Sequence, residues 1–469
     1  MELPANAATI EERFAGGTQR PVRLVDGKGT RLTMATATRD GTVETFVIDG
    51  GAPLSGTVRP AGNKNAALPM MAACVLSSEP VTLDNVPRIR DVEAMLDLLC
   101  DLGVEAEWLA PNTLRLWASE LTGARLDPEL CTRIRASILL AGPLLARGGN
   151  AVVPPPGGDV IGRRRVDTHL AAFAALGAII EVDREYRMTA PRGLRGADIF
   201  LDEASVTGTE NAVMAAVLAR GETVVRNAAC EPHVQDLCEM LVAMGARISG
   251  IGSNMLRIEG VERLGGCRHR VGSDHIEVAS FIGLAAVTGG DVTIEDAAPQ
   301  NLRSILMGFG RLGVKVECHG DSVRVPPDQE LAVVDDVHGQ IPKIEDGPWP
   351  MFPADLTSIA VAVATQARGT VLIFEKMFEN RLIFTDKLVS MGARIILCDP
   401  HRAVVTGPAK LFGERMASPD IRAGMAMLIA ALAAEGESRI GNVGEIDRGY
   451  ERIDERLRGL GARIERIQT

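Results

Sequence analysis

Apolar and polar residues follow two alternating periods along this chain, and the alternation is repeated six times. Stretches with apolar residues three and four positions apart, typical of helices, are followed by stretches with every second residue apolar, typical of strands. Each predicted helix ends in Leu or Met, Gly, and Ala or Val; the glycines are Gly103, Gly177, Gly245, Gly313, Gly392 and Gly461. Glycine is favoured just past a helix because it adopts the left-handed conformation at little cost. The pattern therefore predicts six helix ends, each followed by a strand.

A second recurring string is short and rich in β-branched residues, and it predicts a further strand in most units. It occupies residues 79–86, 222–229, 291–298, 370–377 and 437–444. Each unit then reads strand, helix, strand, helix, strand, strand. A fixed period of about 70 residues indicates a supersecondary unit whose copies share a core. We therefore predict an α/β fold built from six βαβαββ repeats.

Residues 1 to about 45 show no sustained periodicity and are polar and rich in Gly and Thr. Such composition predicts a poorly ordered N-terminal extension. Because the regular pattern begins only near Val47, Met34 is an alternative candidate for the first residue.

Composition limits the classes of function. A chain of 469 residues predicts two or three domains. The net charge of −11 gives no general attraction to nucleic acid or to an anionic membrane, so an anionic substrate would need a locally basic pocket. The eight cysteines show no C-x-x-C and no metal-ligand spacing, and no apolar run approaches the length of a membrane span. We expect a reduced, cytoplasmic protein.

The stretch PPPGGDVIGRRRVDTH, residues 154–169, is the most unusual in the chain. Gly157, Gly158 and Gly162 permit positive φ angles and close approach of the backbone to a ligand. Asp159 stands before three consecutive arginines, residues 163–165. An acid beside several cations suits a site that binds an anion and moves a proton. The alternative interpretation is an ordinary solvated surface loop.

Two other segments carry cations at predicted helix starts. In GNKNAALP, residues 62–69, Lys64 directly precedes a helical run, and a lysine beside free helix N–H groups forms an anion site. Arg135 stands at the head of a strongly apolar predicted helix. The alternatives are a solvated lysine at an ordinary helix start and an arginine that extends from a core helix to the surface.

Together these segments resemble the enolpyruvyl transferases. The resemblance runs from about Val47 to the C-terminus and rests on ordered motifs: GNKNAALP (62–69), RAS (135–137), PGG followed by IGRR (156–158 and 161–164), FPAD (352–355), FENR (378–381), DIRA (420–423) and DRGYERID (447–454). It implies a two-domain, inside-out α/β barrel of the EPSP synthase type. One domain would comprise residues 46–63 and 274–469, and the other residues 64–273, including a mobile loop at 154–164. The substrates would bind in the cleft between the domains.

The resemblance also implies a reaction. The enolpyruvyl group of phosphoenolpyruvate is transferred to the 3-hydroxyl of UDP-N-acetylglucosamine and phosphate is released, which is the first committed step of peptidoglycan synthesis. It implies no metal, no organic cofactor, and no nucleic-acid or membrane partner. Two acceptors remain as alternatives. Enzymes that act on shikimate 3-phosphate share the fold but carry a G-S-K-S-type motif, and a secondary-metabolism relative would act on another uridine nucleotide.

Roles for individual residues follow by matching motif positions. Lys64, Arg164 and Arg422 would clamp the phosphate and carboxylate of phosphoenolpyruvate, because such groups bind cationic donors strongly. Asp355 would take the proton from the attacking hydroxyl; alternatively it caps the apolar helix that follows it. The remaining predicted contacts lie at the sugar and nucleotide: Asn65, Arg135, Arg165, Val166, Asp167, Thr168, Ser205, Val206, Met377 and Arg381.

The sequence departs from the family at the loop, where Asp159 replaces the usual cysteine. A thiol has a reference pKa near 8.5 and is a strong nucleophile, whereas an aspartate, near 3.9, would have to be held protonated to act as an acid. We expect Asp159 to be the general acid, and the protein to resist fosfomycin, which alkylates the loop thiol. The alternative is a silent relative that only binds a nucleotide sugar.

Four smaller features complete the predictions. Arg165 replaces a usual proline, and residues 205–211 look one residue longer than the common form, so both leave the nucleotide preference open. DRGYERID (447–454) is expected to be structural or interdomain, through alternating charges on one helix face. Six histidines, at positions 233, 269, 275, 319, 338 and 401, are expected to be surface or satisfied structural residues.

Overall fold

The structure is a computed structural model that describes residues 44–159 and 161–468. The predicted N-terminal extension and the alternative start at Met34 lie outside the described residues, except that residues 44 and 45 begin the first strand.

The elements of the first part of the described chain alternate as the sequence pattern predicts. In chain order they are β1 (Glu44–Asp49), β2 (Gly56–Val58), α1 (Lys64–Ala73), β3 (Val81–Asp84), α2 (Arg90–Asp101), β4 (Glu105–Ala110), β5 (Thr113–Trp117), α3 (Pro128–Arg133), α4 (Ala141–Gly148), β6 (Asn150–Val153), α5 (Asp167–Ala175), β7 (Ile179–Val182), β8 (Tyr186–Thr189), β9 (Asp198–Phe200), α6 (Val206–Ala216), β10 (Glu222–Arg226), α7 (Pro232–Ala243), β11 (Arg247–Ser249), β12 (Met255–Glu259) and β13 (Cys267–Arg270). A 3-10 turn, Arg135–Leu140, precedes α4.

The second part continues in the same manner. Its elements are α8 (His275–Thr288), β14 (Val292–Ile294), α9 (Arg303–Gly310), β15 (Glu317–His319), β16 (Ser322–Val325), β17 (Lys343–Glu345), α10 (Thr357–Ala364), β18 (Gly369–Phe374), α11 (Thr385–Ser390), β19 (Arg394–Asp399), β20 (Arg402–Gly407), β21 (Arg415–Ala417), α12 (Ile421–Ala433), β22 (Glu437–Gly441), α13 (Val443–Ile446), α14 (Ile453–Gly459) and β23 (Arg463–Gln468). A 3-10 turn, Ala354–Leu356, precedes α10.

The repeat predicted from the sequence is visible in the strands. The described residues form six sheets, with strand orders β21-β22-β1-β23, β11-β12-β10-β9, β13-β3-β5-β4, β15-β16-β14-β2, β17-β18-β20-β19 and β6-β8-β7. In β11-β12-β10-β9, for example, β9 is parallel to β10, and β12 is antiparallel to both β10 and β11. The three-stranded sheet has the same plan, because Arg125 forms a single parallel bridge to Val152 of β6.

Two strands pair with strands from a distant part of the chain. β2 pairs in parallel with β14, and β13 pairs in parallel with β3, so each strand completes a sheet whose other members lie far away in the sequence. The chain consequently crosses twice between two hydrophobic cores. Residues 66–271 form one core, and residues 46–58 together with 276–464 form the other.

The centre of each core is helical. α8, α10 and α12 pack against one another in one core, and α6 packs against α4 and the preceding 3-10 turn in the other. α12 is buried on nearly every face, which explains why its sequence is almost continuously apolar.

The predicted helix ends are confirmed at backbone level. All six repeat glycines have positive φ, between 82° at Gly313 and 107° at Gly392. The predicted strand strings coincide with β3, β10, β14, β18 and β22, although β18 begins one residue before its string. Among the described residues, the structure contains no helix with the length and apolar character required to cross a bilayer.

Candidate active site

One cavity of about 260 Å³ lies between the two cores and is lined by residues of both. Ten of the residues predicted from the sequence line it: Lys64, Asn65, Arg135, Asp159, Arg164, Val206, Asp355, Met377, Arg381 and Arg422. Its wall also contains residues that were not predicted, of which Asp91, Glu210, Glu231, His233, Trp349 and Arg448 are the most polar or the largest. The predicted residues Arg165, Val166, Asp167, Thr168 and Ser205 do not line this cavity.

Helix N-termini converge on the cavity. Residues at or next to the starts of α1, α6, α8 and α12 are in its wall: Lys64, Val206, His275 and Ile421. The N-terminal end of a helix carries a partial positive charge, so several such ends facing one space favour an anionic ligand. In each of these four helices a capping side chain already accepts from one or two of the first N–H groups. The cavity is therefore a locally positive region in a chain of negative net charge.

Asp355 is held between two guanidinium groups. Its Oδ1 lies 2.7 Å from Nη2 of Arg381, and its Oδ2 lies 3.0 Å from Nη2 and accepts a hydrogen bond from Nε of Arg422. Burial alone would raise the pKa of Asp355, but Arg422, Arg381 and Lys64 outweigh it and hold the pKa well below its ordinary value. The alternative role as a helix cap is wrong, because neither the 3-10 turn nor α10 has a side-chain cap.

The predicted clamp residues lie around Asp355. Arg422 is buried, and its Nη1, which is also buried, donates to no acceptor among the described residues at normal geometry. Burial lowers the pKa of Arg164, and the nearby carboxylates of Asp159 and Asp355 act in the opposite direction. Arginines in a cavity wall suit a planar anion such as phosphate or carboxylate.

A chain of ion pairs joins Lys64 to the loop. Lys64 Nζ lies 3.0 Å from Asp91 Oδ2, and Arg448 Nε lies 2.9 Å from Asp91 Oδ1. Arg448 also pairs with Asp159 through Nη1 and with Glu445 at 2.7 Å. Asp159 thus contacts an arginine of the other core. Asp91 and Arg448 were not predicted, because their pairing spans 357 residues of sequence.

The segment that contains Arg448 contacts the other core, as the predicted interdomain role requires, but it is not the predicted helix. Residues 447–452 do not form one helix face; they lie between α13 and α14, and Arg452 has a φ of 45°. The turn aims Arg448 into the cavity and buries Tyr450, whose hydroxyl contacts Ser280 at 3.0 Å.

The loop forms hydrogen bonds with residues of both cores. Arg135 Nη2 donates to the carbonyl oxygens of Arg164 and Arg165 at 2.7 and 3.1 Å, so Arg135 is not a surface arginine. Asn380 N donates to the carbonyl oxygen of Ile161 at 3.0 Å. Gly158 and Gly162 have positive φ, as predicted, whereas Gly157 does not. A Cβ on Gly157 would overlap the carbonyl oxygen of Thr132, so this glycine permits close packing of the loop.

The residues predicted at the nucleotide form a separate network beside the cavity. Arg165 pairs with Asp167 at 3.2 Å and with Asp202 at 2.7 Å, and Thr168 Oγ1 donates to Asp202 at 2.7 Å. Ser205 caps α6 by accepting from Gly208 N at 3.2 Å. Residues 206–216 are one regular helix, so the stretch 205–211 forms an ordinary helix start.

A polar wall that the sequence did not reveal faces the clamp. His233 is 6% exposed, and neither of its ring nitrogens has a partner among the described residues. Burial lowers the pKa of His233 to about 3 and raises the pKa of Glu210 and of Glu231. The expectation of a surface or satisfied histidine is therefore wrong at this position. A lone histidine in an apolar helix gives no sequence signal of its surroundings.

Comparison with known proteins identifies similar chains. Residues 48–457 match the family model described as EPSP synthase (3-phosphoshikimate 1-carboxyvinyltransferase). A protein named UDP-N-acetylglucosamine 1-carboxyvinyltransferase from Bradyrhizobium diazoefficiens is 58% identical over 90% of this chain and 98% of its own. Proteins of the same name are 56% identical in Treponema denticola, over 90% and 98%, and 51% identical in Borreliella burgdorferi, over 91% and 100%.

Solved structures agree with the predicted fold. The enolpyruvyl transferase NikO from Streptomyces tendae has a TM-score of 0.81 at 24% identity, covering 91% of this chain and 100% of its own. An EPSP synthase from Acinetobacter baumannii has a TM-score of 0.70 at 19% identity, with the same coverage. The predicted fold class is therefore confirmed.

Proposed function

Because the chain belongs to the EPSP synthase family of carboxyvinyltransferases, we propose that it transfers the enolpyruvyl group of phosphoenolpyruvate to UDP-N-acetylglucosamine. The 3-hydroxyl of the sugar is the acceptor, and phosphate is the second product. The observation that carries the choice of acceptor is the identity, 51% or more over nine-tenths of the chain, to proteins named for this activity. The reaction would serve the first committed step of peptidoglycan synthesis, in the cytoplasm.

The chemistry needs an acid, a base and a cationic clamp. Protonation of the terminal vinyl carbon of phosphoenolpyruvate creates positive character at the neighbouring carbon, and the sugar oxygen forms its bond there as it gives up its proton. Loss of phosphate, with a proton from the new methyl group, then restores the double bond. Lys64, Arg164 and Arg422 would hold the phosphate and carboxylate, which the convergence of helix N-termini supports.

Asp355 would accept the proton from the sugar hydroxyl. Its side chain is in the cavity wall, and its arginine contacts leave it ionised and fixed in one orientation. Asn65 and Met377, also in the wall, would contact the sugar. The network of Arg165, Val166, Asp167, Thr168, Ser205 and Val206, with Arg135 beneath it, would meet the uridine and diphosphate.

Asp159 would donate the proton to the vinyl carbon. The carboxyl is in the cavity wall but is paired with Arg448, so this contact must be released before the carboxyl can carry and donate a proton. A dianionic phosphate bound beside it would favour the protonated form by like-charge repulsion and would compete for Arg448. Because a carboxylate is a poor nucleophile toward an epoxide, we also propose resistance to fosfomycin.

We further propose that the two cores are separate domains that close over the substrates. Residues 46–63 and 274–469 would form one domain, and residues 64–273 the other. The cavity between the cores and the loop contacts that reach across it support this arrangement. Closure of such a loop excludes water and completes the catalytic constellation.

The test is phosphate release from phosphoenolpyruvate with and without UDP-N-acetylglucosamine, for the wild type, Asp159→Asn and Asp159→Cys. We expect acceptor-dependent release by the wild type, a loss of about 10²- to 10⁴-fold in the asparagine variant, and partial recovery in the cysteine variant. Only the cysteine variant should gain the mass of fosfomycin on its loop peptide. Asp97→Asn, at an exposed ion pair with Arg133, is the matched control.

Other outcomes would redirect the assignment. Release with shikimate 3-phosphate or another uridine nucleotide, but not with UDP-N-acetylglucosamine, would change the acceptor. Binding of UDP-N-acetylglucosamine without any release would indicate a silent relative. Covalent modification of the wild type by fosfomycin would refute the resistance proposal.

A further inference from the structure

Two buried carboxyl groups lie behind the proposed base and take no part in the chemistry above. Glu375 and Asp346 are 0% and 1% exposed. Arg381 is situated between Glu375 and Asp355: its Nη2 is 2.7 Å from Asp355 Oδ1, and its Nε is 3.8 Å from Glu375 Oε2. One guanidinium is therefore shared by two carboxyl groups, one of them the proposed base.

The polar atoms at the centre of this cluster are incompletely satisfied. Arg381 Nε, Glu375 Oε2 and Asp346 Oδ2 have no hydrogen-bond donor or acceptor among the described residues at normal geometry. The nearby carboxyl group of Asp346 disfavours the ionised form of Glu375, so the pair is more stable when one of the two groups carries a proton. Leaving such groups unpaired in a buried place is costly, so Arg381 and Glu375 keep donor and acceptor capacity that their present contacts do not use.

Glu375 has a second contact that fixes the backbone of the site. Its Oε1 accepts hydrogen bonds from Met377 N at 3.2 Å and Phe378 N at 3.1 Å. Both residues line the cavity. The side chain thus connects the turn that carries Met377 to the guanidinium that holds Asp355.

The charged and titratable groups around Glu375 belong to several elements of the fold. Arg381 and Lys376 belong to its own segment, Asp346 follows β17, and Asp355 precedes α10. His401, before β20, contacts the main-chain oxygen of Glu375. Burial raises the pKa of Glu375 to about 8; Arg381 opposes this shift and Asp346 adds to it.

We propose that Glu375 is a positioning residue for the base: it competes with Asp355 for Arg381 and so sets how strongly Arg381 stabilises the ionised base. With Glu375 neutral, Arg381 acts fully on Asp355 and makes it a weak proton acceptor. With Glu375 ionised, Arg381 is shared and Asp355 becomes a stronger base. The inference rests on the proposed function, because it assigns Asp355 the proton from the acceptor hydroxyl.

The first test is the pH profile of kcat for the wild type, Glu375→Gln and Asp346→Asn. Glutamine keeps the hydrogen bonds to residues 377 and 378 but cannot ionise. We expect wild-type kcat to rise between pH 7 and 9. Glu375→Gln should lack this rise, so that its kcat equals that of the wild type near pH 6.5 and is about three- to ten-fold lower at pH 9. The KM for phosphoenolpyruvate should change less than two-fold.

Asp346→Asn and Glu375→Gln should change the pH dependence of kcat in different ways. Asp346→Asn removes the repulsion that disfavours ionised Glu375, so the rise should move to lower pH instead of disappearing. Glu345→Gln, at a partly buried position that pairs with Lys343 and Lys376, is the matched control and should follow the wild type. A profile of Glu375→Gln that superimposes on the wild type, or that is lowered by one factor at every pH, would overturn the proposal.

A second measurement does not depend on turnover. A carboxyl whose pKa is raised in the folded state loses stability as pH rises from its unfolded to its folded pKa, here from about 4.5 to about 8. The Tm of Glu375→Gln relative to wild type should therefore increase over this range and then level. In an Asp355→Asn background the increase should level at lower pH, because Arg381 is no longer shared. If the Tm difference increases over the same pH range in the Asp355→Asn background, Arg381 is not shared between Glu375 and Asp355. Absence of wild-type turnover would refute only the proposed function.

Discussion

Asp355 is the residue on which the chemistry of the cavity most depends, and its surroundings are unusual for a base. Two arginines and a lysine hold its pKa well below the ordinary value, after burial has acted in the opposite direction. A carboxylate so stabilised is a weak proton acceptor on its own. It can serve as base because the hydroxyl that it deprotonates becomes far more acidic as its oxygen bonds to a cationic carbon.

Replacing Asp355 by Asn should therefore abolish most turnover. We expect kcat to fall by about 10²- to 10⁴-fold, while binding of UDP-N-acetylglucosamine, measured by calorimetry, weakens less than ten-fold. Asp97→Asn removes an exposed carboxylate of the same size and should retain wild-type activity. Equal losses of affinity and of kcat would instead assign Asp355 to ligand binding.

The same carboxylate should contribute to stability with a defined pH dependence. Since its folded pKa is depressed, the contribution is present above the unfolded value of about 3.8 and is lost as pH falls through the folded pKa. The difference in Tm between wild type and Asp355→Asn should consequently be full at pH 6 and shrink below about pH 4. A difference that grows on acidification would contradict the depressed pKa.

At the scale of elements, glycines allow the loop of residues 154–164 to pack closely against its neighbours. Gly157→Ala would place a Cβ on the carbonyl oxygen of Thr132 at the end of α3, and backbone cannot yield as a flexible side chain does. We expect the variant to fold with a Tm close to wild type but to lose at least ten-fold in kcat/KM, because residues 161–165 can no longer reach their positions at the cavity. Gly148→Ala in α4, where a Cβ would meet no atom within 4 Å, is the control.

Sequence patterns predict the elements well because their causes are local. A glycine after a helical stripe requires only its own φ angle, and all six such glycines have positive φ. The strand strings around β10 and β18 likewise depend on neighbouring side chains. The pairing of β2 and β13 does not depend on neighbouring side chains, since their partner strands lie more than 180 residues away in the sequence.

The same distinction separates predicted from unpredicted site residues. Lys64, Asp355 and Arg422 stand in motifs that resemble a known family, so their place in the cavity follows from the fold. Asp91 and Arg448 are recognisable only when residues 357 positions apart are brought together. The Glu375 cluster is hidden for another reason: its unusual character comes from burial beside Asp346, and neither residue has a motif of its own.

At the scale of the whole molecule, Arg448 connects the two cores across the cavity. It belongs to the core that contains α12, but two of its partners, Asp91 and Asp159, belong to the other part of the chain. Within the described residues the loop makes two further contacts of this kind, from Arg163 N to Glu379 and from Asn380 N to Ile161 O. Arg448 makes the side-chain ion pairs of this set and is largely buried, so its attraction is less screened than that of a surface pair.

Replacing Arg448 by Ala should therefore favour separation of the cores. In the absence of substrates, we expect a larger radius of gyration by small-angle X-ray scattering and faster tryptic cleavage after residues 163–165. Both should return toward wild type with UDP-N-acetylglucosamine and phosphoenolpyruvate bound, and the KM for phosphoenolpyruvate should rise by about ten-fold, since closure must then be driven by substrate alone. Arg133→Ala, whose partner Asp97 lies in the same core, is the control. If cleavage and radius of gyration match wild type while KM still rises, Arg448 acts through the ligand and not by joining the cores.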